Sequence, residues 1–268
     1  MSNYWGDRLA DALNRLSAKS EREIQKQLSK YYAETAKQTI KDFEDTYSKI
    51  LTTMENDKEP TPADLYKLDK YWQSQAQLRR ELQKLGNKEI ALLTEAFERN
   101  WFEIYYSIGL PSGAAFNTVD THLVQQLLNQ VWCADGLNWS ARVWKNTEQL
   151  AETLNEQLIH CVATGKKTTE LKNILQERFG VSYSRANTLV RTELAHIQTQ
   201  AAKQRYEDAG LTYYEILGNE DNTCGGTAAN CHQLHGKKFK YSEMTTGKNA
   251  PPFHPNCKCC IIPVVEID

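Results

Sequence analysis

The sequence predicts an α+β protein that is predominantly α: long N-terminal helices, a further helical region, and a small C-terminal Cys/His-rich β module. Three observations predict this. Apolar residues recur at helical spacing over most of the first 200 positions. Runs rich in β-branched and aromatic residues start only after Gly210. Five of the seven cysteines fall between Cys224 and Cys260. The expected organisation is an N-terminal helical region over 1–115 and a second domain over 116–268, helical to about 210 with the β module at 211–268.

Ile24, Leu28 and Tyr31 begin the first stripe, and Tyr32, Ala36, Ile40, Phe43, Tyr47 and Ile50 continue it. Thr61-Pro62-Ala63-Asp64 is a helix start, with Thr61 as N-cap, Pro62 in the first turn and Asp64 at the third position. Leu65, Leu68, Trp72, Leu82 and Leu85 follow, and Gly86 is expected to close that helix in the left-handed conformation. Ile90, Leu93, Phe97, Trp101 and Ile104 mark the next helix, ended by Gly109-Leu110-Pro111. Thr118 or Asp120 caps a short helix carrying Leu123, Leu127 and Val131. A longer one opens at Trp139, runs through Leu150, Leu154 and Leu158 to about Cys161, and is closed by Gly165. Thr168 or Thr169 starts a helix with Leu171, Ile174, Leu175 and Phe179 that Gly180 is expected to stop. Ser182 or Ser184 then starts another, with Ala186, Leu189, Val190, Leu194, Ile197 and Ala201, ending at Gly210. Strands are expected at 211–217, 237–241 and 261–267, the last placed at a sheet edge by Pro263. The stripes are read as packing against one another, with Lys, Glu and Gln on the solvated faces.

The 268 residues are 40% hydrophobic and 25% charged, enough for one large or two modest cores, and they exclude wholesale disorder. A net charge of −2 with mixed signs argues against a dominant nucleic-acid-binding domain and leaves a local contact open. The first residues carry no basic segment followed by an apolar run, so no secretory leader is expected, and no stretch has transmembrane length. The chain is expected to be made in the cytoplasm and to stay soluble.

Cys133 and Cys161 lie in helical text and read as small buried hydrophobes. In a reducing compartment the remaining cluster suggests metal before disulfides. Zinc takes about four thiolate or imidazole ligands in a tetrahedron. Cys224 and Cys231 would supply one pair, and His254, Cys257 and Cys259 the other. Such a site, with no free position, would be structural and would replace a core that three short strands cannot build. A disulfide and plain packing of reduced thiols with a buried His remain alternative readings. His232 and His235 read as loop residues.

The order of these pieces carries a resemblance. Arg191-Thr192-Glu193, Gly210, Tyr213, Cys224, Cys231, His235-Gly236-Lys237, Phe239, Pro252 and His254-Pro255-Asn256-Cys257-Lys258-Cys259 resemble the Mu F-like head morphogenesis domain of tailed phages. Trp139-Ser140-Ala141-Arg142-Val143-Trp144 resembles minor capsid proteins of that group in phages of Gram-positive hosts. One departure is the first cysteine pair, spaced as C-x6-C where the family's usual pair is closer. The resemblance implies a non-enzymatic minor head protein, present in few copies in the capsid interior near the portal vertex after assembly in the host cytoplasm, and acting in head assembly with effects on DNA packaging or ejection. The implied partners are the portal protein, then the major capsid or scaffolding protein and packaged double-stranded DNA; no membrane and no small-molecule substrate is expected. Some domains of the family are fused to toxin modules. With Asp268 directly after the last strand, none is expected here.

Arg185, Arg191 and Glu193 are expected to anchor their helix to the β module by charge-assisted hydrogen bonds, a catalytic pair being the alternative. Lys237, Lys238, Lys240, Lys248 and Lys258 put local positive charge on the module as candidate DNA contacts, against an ordinary solvated surface. The competing function is a zinc-stapled nuclease or other phage enzyme acting on nucleic acid, with His254 as base. It would need a second metal site, for which the sequence offers no placed Asp/His pair, and a basic groove, which it lacks.

Overall fold

The computed structural model of the chain describes residues 4–53, 61–110, 115–218 and 231–264. Cys224, Pro111 and residues 265–267, on which parts of the sequence reading fall, lie outside the described residues. The elements run α1 (Tyr4–Thr53), α2 (Pro62–Tyr66), α3 (Asp69–Ser107), α4 (Thr121–Leu128), α5 (Trp139–Ala163), α6 (Thr168–Asp208), β1 (Tyr213–Leu217), α7 (Cys231–Leu234), β2 (Lys238–Lys240) and β3 (Cys260–Pro263). The α+β, mostly helical class is what the sequence predicts.

Two of the expected breaks do not occur. Gly86 lies inside α3, which continues through to Ser107. Its role is steric: a Cβ built on Gly86 would stand 2.6 Å from the Trp144 ring, so only glycine admits that indole. Gly180 lies inside α6, a single helix of 41 residues. Leu171, Leu175, Phe179, Ser182, Ala186, Val190, Leu194, Ile197 and Ala201 form one uninterrupted buried stripe, spaced by threes and fours. That burial outweighs the roughly 1 kcal/mol a mid-helix glycine costs. The other punctuation behaves as expected. Thr61 heads α2, its backbone N–H donating to Asp64 Oδ2 at 3.2 Å. Asp120 accepts from the His122 N–H at 2.9 Å and caps α4. Gly165 and Gly210, both at positive φ, follow α5 and α6. Trp72, expected in the buried stripe, is 57% exposed; its indole N–H donates at 3.0 Å to the carbonyl of Tyr66, the last residue of α2.

The chain divides into two compact units, 1–25 with 92–140 and 187–268, and 26–91 with 141–186. The second unit is helical, with Phe43, Tyr47, Ile50, Leu82, Leu85, Leu154, Leu158 and Leu175 buried. A polar layer interrupts its core. Glu89 of α3 is 1% exposed and accepts from the Tyr32 hydroxyl at 3.3 Å. Asn146 donates through Nδ2 to the Tyr32 oxygen and to the Ser182 carbonyl, each at 3.1 Å. Burial pushes the Glu89 carboxyl up to about 7, the Tyr32 hydrogen bond opposing it weakly. The signal for this layer was present in the sequence: Glu89 sits at the stripe spacing between Leu85 and Leu93.

The first unit carries the sheet, in the order β2-β1-β3 with both pairings antiparallel. Glu215 pairs with Lys238 on one side and Ile262 on the other, and Pro263 takes the edge position its missing N–H requires. The sheet meets α6 through aromatic rings, Tyr214 against Tyr241 at 5.2 Å and Tyr241 against Tyr206 at 6.0 Å. Arg205, also on α6, is 1% exposed and donates to the Ile108 carbonyl at 3.2 Å and the Ala115 carbonyl at 3.0 Å. Leu217, Cys260 and Ile262 pack against Ala10 of α1.

Candidate metal centre

Cys231 opens the short helix α7, and Cys257 and Cys259 flank Lys258 just before β3. The second loop is shaped by His254-Pro255-Asn256-Cys257. The Cys257 N–H donates to the His254 carbonyl at 3.2 Å, and Asn256 stands at φ 60. This is a type II turn: proline supplies the fixed φ of its second position, and asparagine tolerates the left-handed third. The turn brings the side chains at its two ends, His254 and Cys257, to the same place. Alternation along the chain then sends Cys259 back toward Cys257 and turns Cys260 away, into the Ala10–Ile262 cluster.

The ligand atoms of Cys231, Cys257 and Cys259 lie within 4.8 Å of one another, and all three residues are buried beside the half-buried Phe253. His254 Nε2 stands 3.2 Å from Cys231 Sγ, while Nδ1 is 2.8 Å from the Pro255 carbonyl. A carbonyl only accepts, so Nδ1 donates to Pro255, and Nε2 is the ring nitrogen that faces Cys231. The Cys257 thiol is pulled down to about 5, first by a hydrogen bond from Cys259, then by the Phe253 and Cys259 backbone and the neighbouring His254, against the opposing effect of burial. The Cys260 thiol is pushed up to about 12 by burial, with Cys257 and Asp7 adding. The first is a ligand environment and the second a core thiol. Three soft donors with an adjacent imidazole nitrogen can hold a metal ion.

The anchoring residues differ from expectation. Arg185 donates to Gln149 on α5 at 3.0 Å, and Arg191 forms an ion pair with Glu21 on α1, so each ties helix to helix, and among the described residues neither ties α6 to the module. Glu193 is buried and accepts from the Trp132 indole N–H at 3.0 Å. The reason is rotational, since neighbours on a helix point about 100° apart and only one of three can face the thiol loop. That residue is Thr192, whose hydroxyl accepts from the Asn256 N–H at 3.1 Å and donates to the Thr188 carbonyl at 2.7 Å. No sequence signal singled Thr192 out within the Arg-Thr-Glu motif. His235 accepts from the Gly218 N–H at 3.1 Å through Nδ1. Cys161 is fully buried and Cys133 half-buried. Lys237, Lys238, Lys240, Lys248 and Lys258 are all exposed.

Beside the thiol loop runs a groove of about 1130 Å³, lined by one face of α1 including Asp7, Asn14 and Ser17, by Arg191 and Gln198 of α6, and by the 254–260 loop. Ser17 donates to Gln198 Oε1 at 2.7 Å across its floor. Among the described residues no helix is long and apolar enough to cross a membrane.

These features define a helical protein whose small antiparallel module closes on a three-thiol cluster. Residues 152–262, which hold the C-terminal part of α5, all of α6, the three strands up to Ile262 and the cluster, match the family described as Phage Mu protein F like protein. Over that segment the chain is similar to that family, which points to a phage head-related protein. The chain is also similar to the NAD(+)--arginine ADP-ribosyltransferase EFV of Enterococcus faecalis, 23% identical over 182 residues, covering 63% of this chain and 37% of that protein. The chain thus spans little more than a third of that relative's length. No solved structure matches it.

Proposed function

We propose that this chain is a minor head protein that associates with the portal during head assembly, enters the capsid interior near the portal vertex, and influences DNA packaging or ejection. The Mu F-like match over 152–262 carries this reading. Contact with the portal, and with major capsid or scaffolding protein, is made through helical faces, while the β module acts as a clamp stapled by one structural zinc ion. The buried Cys231, Cys257 and Cys259 cluster supports the zinc, with the fourth ligand drawn from His254 or Cys224. Zinc there replaces the hydrophobic core that a sheet of strands five, three and four residues long does not provide. The exposed lysines at 237, 238, 240, 248 and 258 support contact with packaged DNA through phosphates. Co-expression with the cognate portal tests the main claim. Co-purification of the pair without turnover of a nucleic-acid substrate is expected; a failure to bind portal under assembly conditions removes the reading. DNA affinity is expected to fall steeply with salt, and salt-independent binding argues against the lysine contacts.

A second reading draws on the likeness to the Enterococcus faecalis protein, whose name assigns it transfer of ADP-ribose from NAD(+) to arginine. Labelling of an arginine-bearing acceptor by the purified chain with NAD(+) would favour it. Cleavage of DNA with magnesium or manganese, lost on changing His254, would favour a nuclease instead.

A further inference from the structure

We propose that the zinc ligands are Cys231, Cys257, Cys259 and His254, with Cys224 outside the coordination sphere; this rests on the structural-zinc reading above and specifies its site. Four observations lead there. The three sulfurs already lie within 4.8 Å of one another, the span that one tetrahedral ion bridges. The imidazole meets the cluster at Cys231, with Nε2 3.2 Å from the sulfur. Its other nitrogen is held at 2.8 Å by the Pro255 carbonyl, the arrangement that fixes a metal-binding histidine's tautomer and orientation. The turn carrying His254 and Cys257 is itself pinned to α6, because the Asn256 N–H donates to Thr192. His254 therefore needs no new backbone fold to serve as a ligand.

Charge favours the same set. Zinc with three thiolates and a neutral imidazole carries a net charge of −1, whereas a fourth thiolate would make it −2. Cys231, Cys257 and Cys259 are 1%, 4% and 2% exposed, and the smaller charge is the cheaper one to keep away from water. On loading, zinc binds the three sulfurs as thiolates, any remaining thiol proton passing to solvent as its zinc–sulfur bond forms. His254 coordinates through Nε2, and its Nδ1–H stays on the Pro255 carbonyl. Thr192 is then a positioning residue: it holds the ligand turn on α6 without touching the metal.

Cobalt(II) in place of zinc provides the test, using the full chain. The wild type is expected to bind one equivalent and to show the absorption of a tetrahedral ion, with sulfur-to-cobalt charge transfer sized for three thiolates. Cys224→Ser is expected to leave stoichiometry and spectrum unchanged. His254→Cys is expected to keep the ion while shifting the ligand-field bands to the red and strengthening the charge transfer. His254→Ala is expected to lose at least 100-fold in affinity against a competing chelator. A wild-type spectrum of four thiolates that drops to three in Cys224→Ser overturns the ligand assignment while leaving the zinc reading intact. Unchanged cobalt affinity in His254→Ala overturns the assignment as well. A wild-type chain that takes up no ion, purified with its thiols reduced, overturns both.

Discussion

Replacing Glu89 by glutamine is expected to change how stability depends on pH, and the size of the change follows from the polar layer around it. Glu89 is 1% exposed, and its carboxyl is raised from 4.5 to about 7 by burial. Its folded form therefore holds its proton where the unfolded chain has released it. The stability it contributes is complete below pH 4.5, falls as pH rises between 4.5 and about 7, and stays lost above that. At 1.36 kcal/mol per unit the swing is roughly 3 kcal/mol. Glutamine keeps the shape and the acceptor for the Tyr32 hydroxyl, cannot ionise, and places an amide N–H₂ where Glu89 Oε1 stands buried without a partner among the described residues. Urea unfolding of both proteins from pH 4.5 to 8.5, followed by a probe in the unit holding 26–91 and 141–186, should show Glu89→Gln more stable by about 3 kcal/mol at the alkaline end, the gap closing toward the acid end. A difference that stays constant across this range would refute the reasoning, because it would mean that Glu89 titrates alike in both states.

A buried histidine gives the opposite slope. His196 is 6% exposed, stacks on Trp132 at 4.6 Å, and is lowered by burial from 6.5 to about 3. Its contribution is present above pH 6.5 and lost as pH falls, about 2 kcal/mol by pH 5. His196→Phe, which keeps the stack, should remove that loss; matching acid sensitivity in variant and wild type would contradict it. Gly86→Ala gains up to about 1 kcal/mol of helix propensity but drives a methyl to 2.6 Å from the Trp144 ring, an overpacking cost of roughly 1–3 kcal/mol. A lower Tm is expected, restored in part by adding Trp144→Leu, and strict additivity of the two changes would show that the ring is not the obstacle.

The sequence made legible what is local or periodic. The stripe from Ile24 to Ile50, the Thr61-Pro62-Ala63-Asp64 start and the Asp120 cap follow from side-chain chemistry within a few residues. Gly86 misled because a helix stop and a close-packing point use the same residue, and only the partner across the core, Trp144, tells them apart; Gly180 has open space around it and is carried by the buried stripe on either side. The ties of Arg185 and Arg191 were hidden for a similar reason, since their partners Gln149 and Glu21 lie far away in sequence. At the thiol cluster, residue types and spacing brought out Cys231, His254, Cys257 and Cys259 as candidates. The convergence itself depends on the turn at Pro255-Asn256 and on the helical turn at Cys231, which is too short for any periodicity to mark.

The central claim is that the last third of the chain is a scaffold part held together at one metal ion. Native mass spectrometry of the full chain, purified with reduced thiols and no added chelator, measures this directly. The account predicts a single species heavier than the bare chain by one zinc less two protons. A homogeneous bare chain of unchanged stability, or one lighter by the two hydrogens of a disulfide, would contradict it.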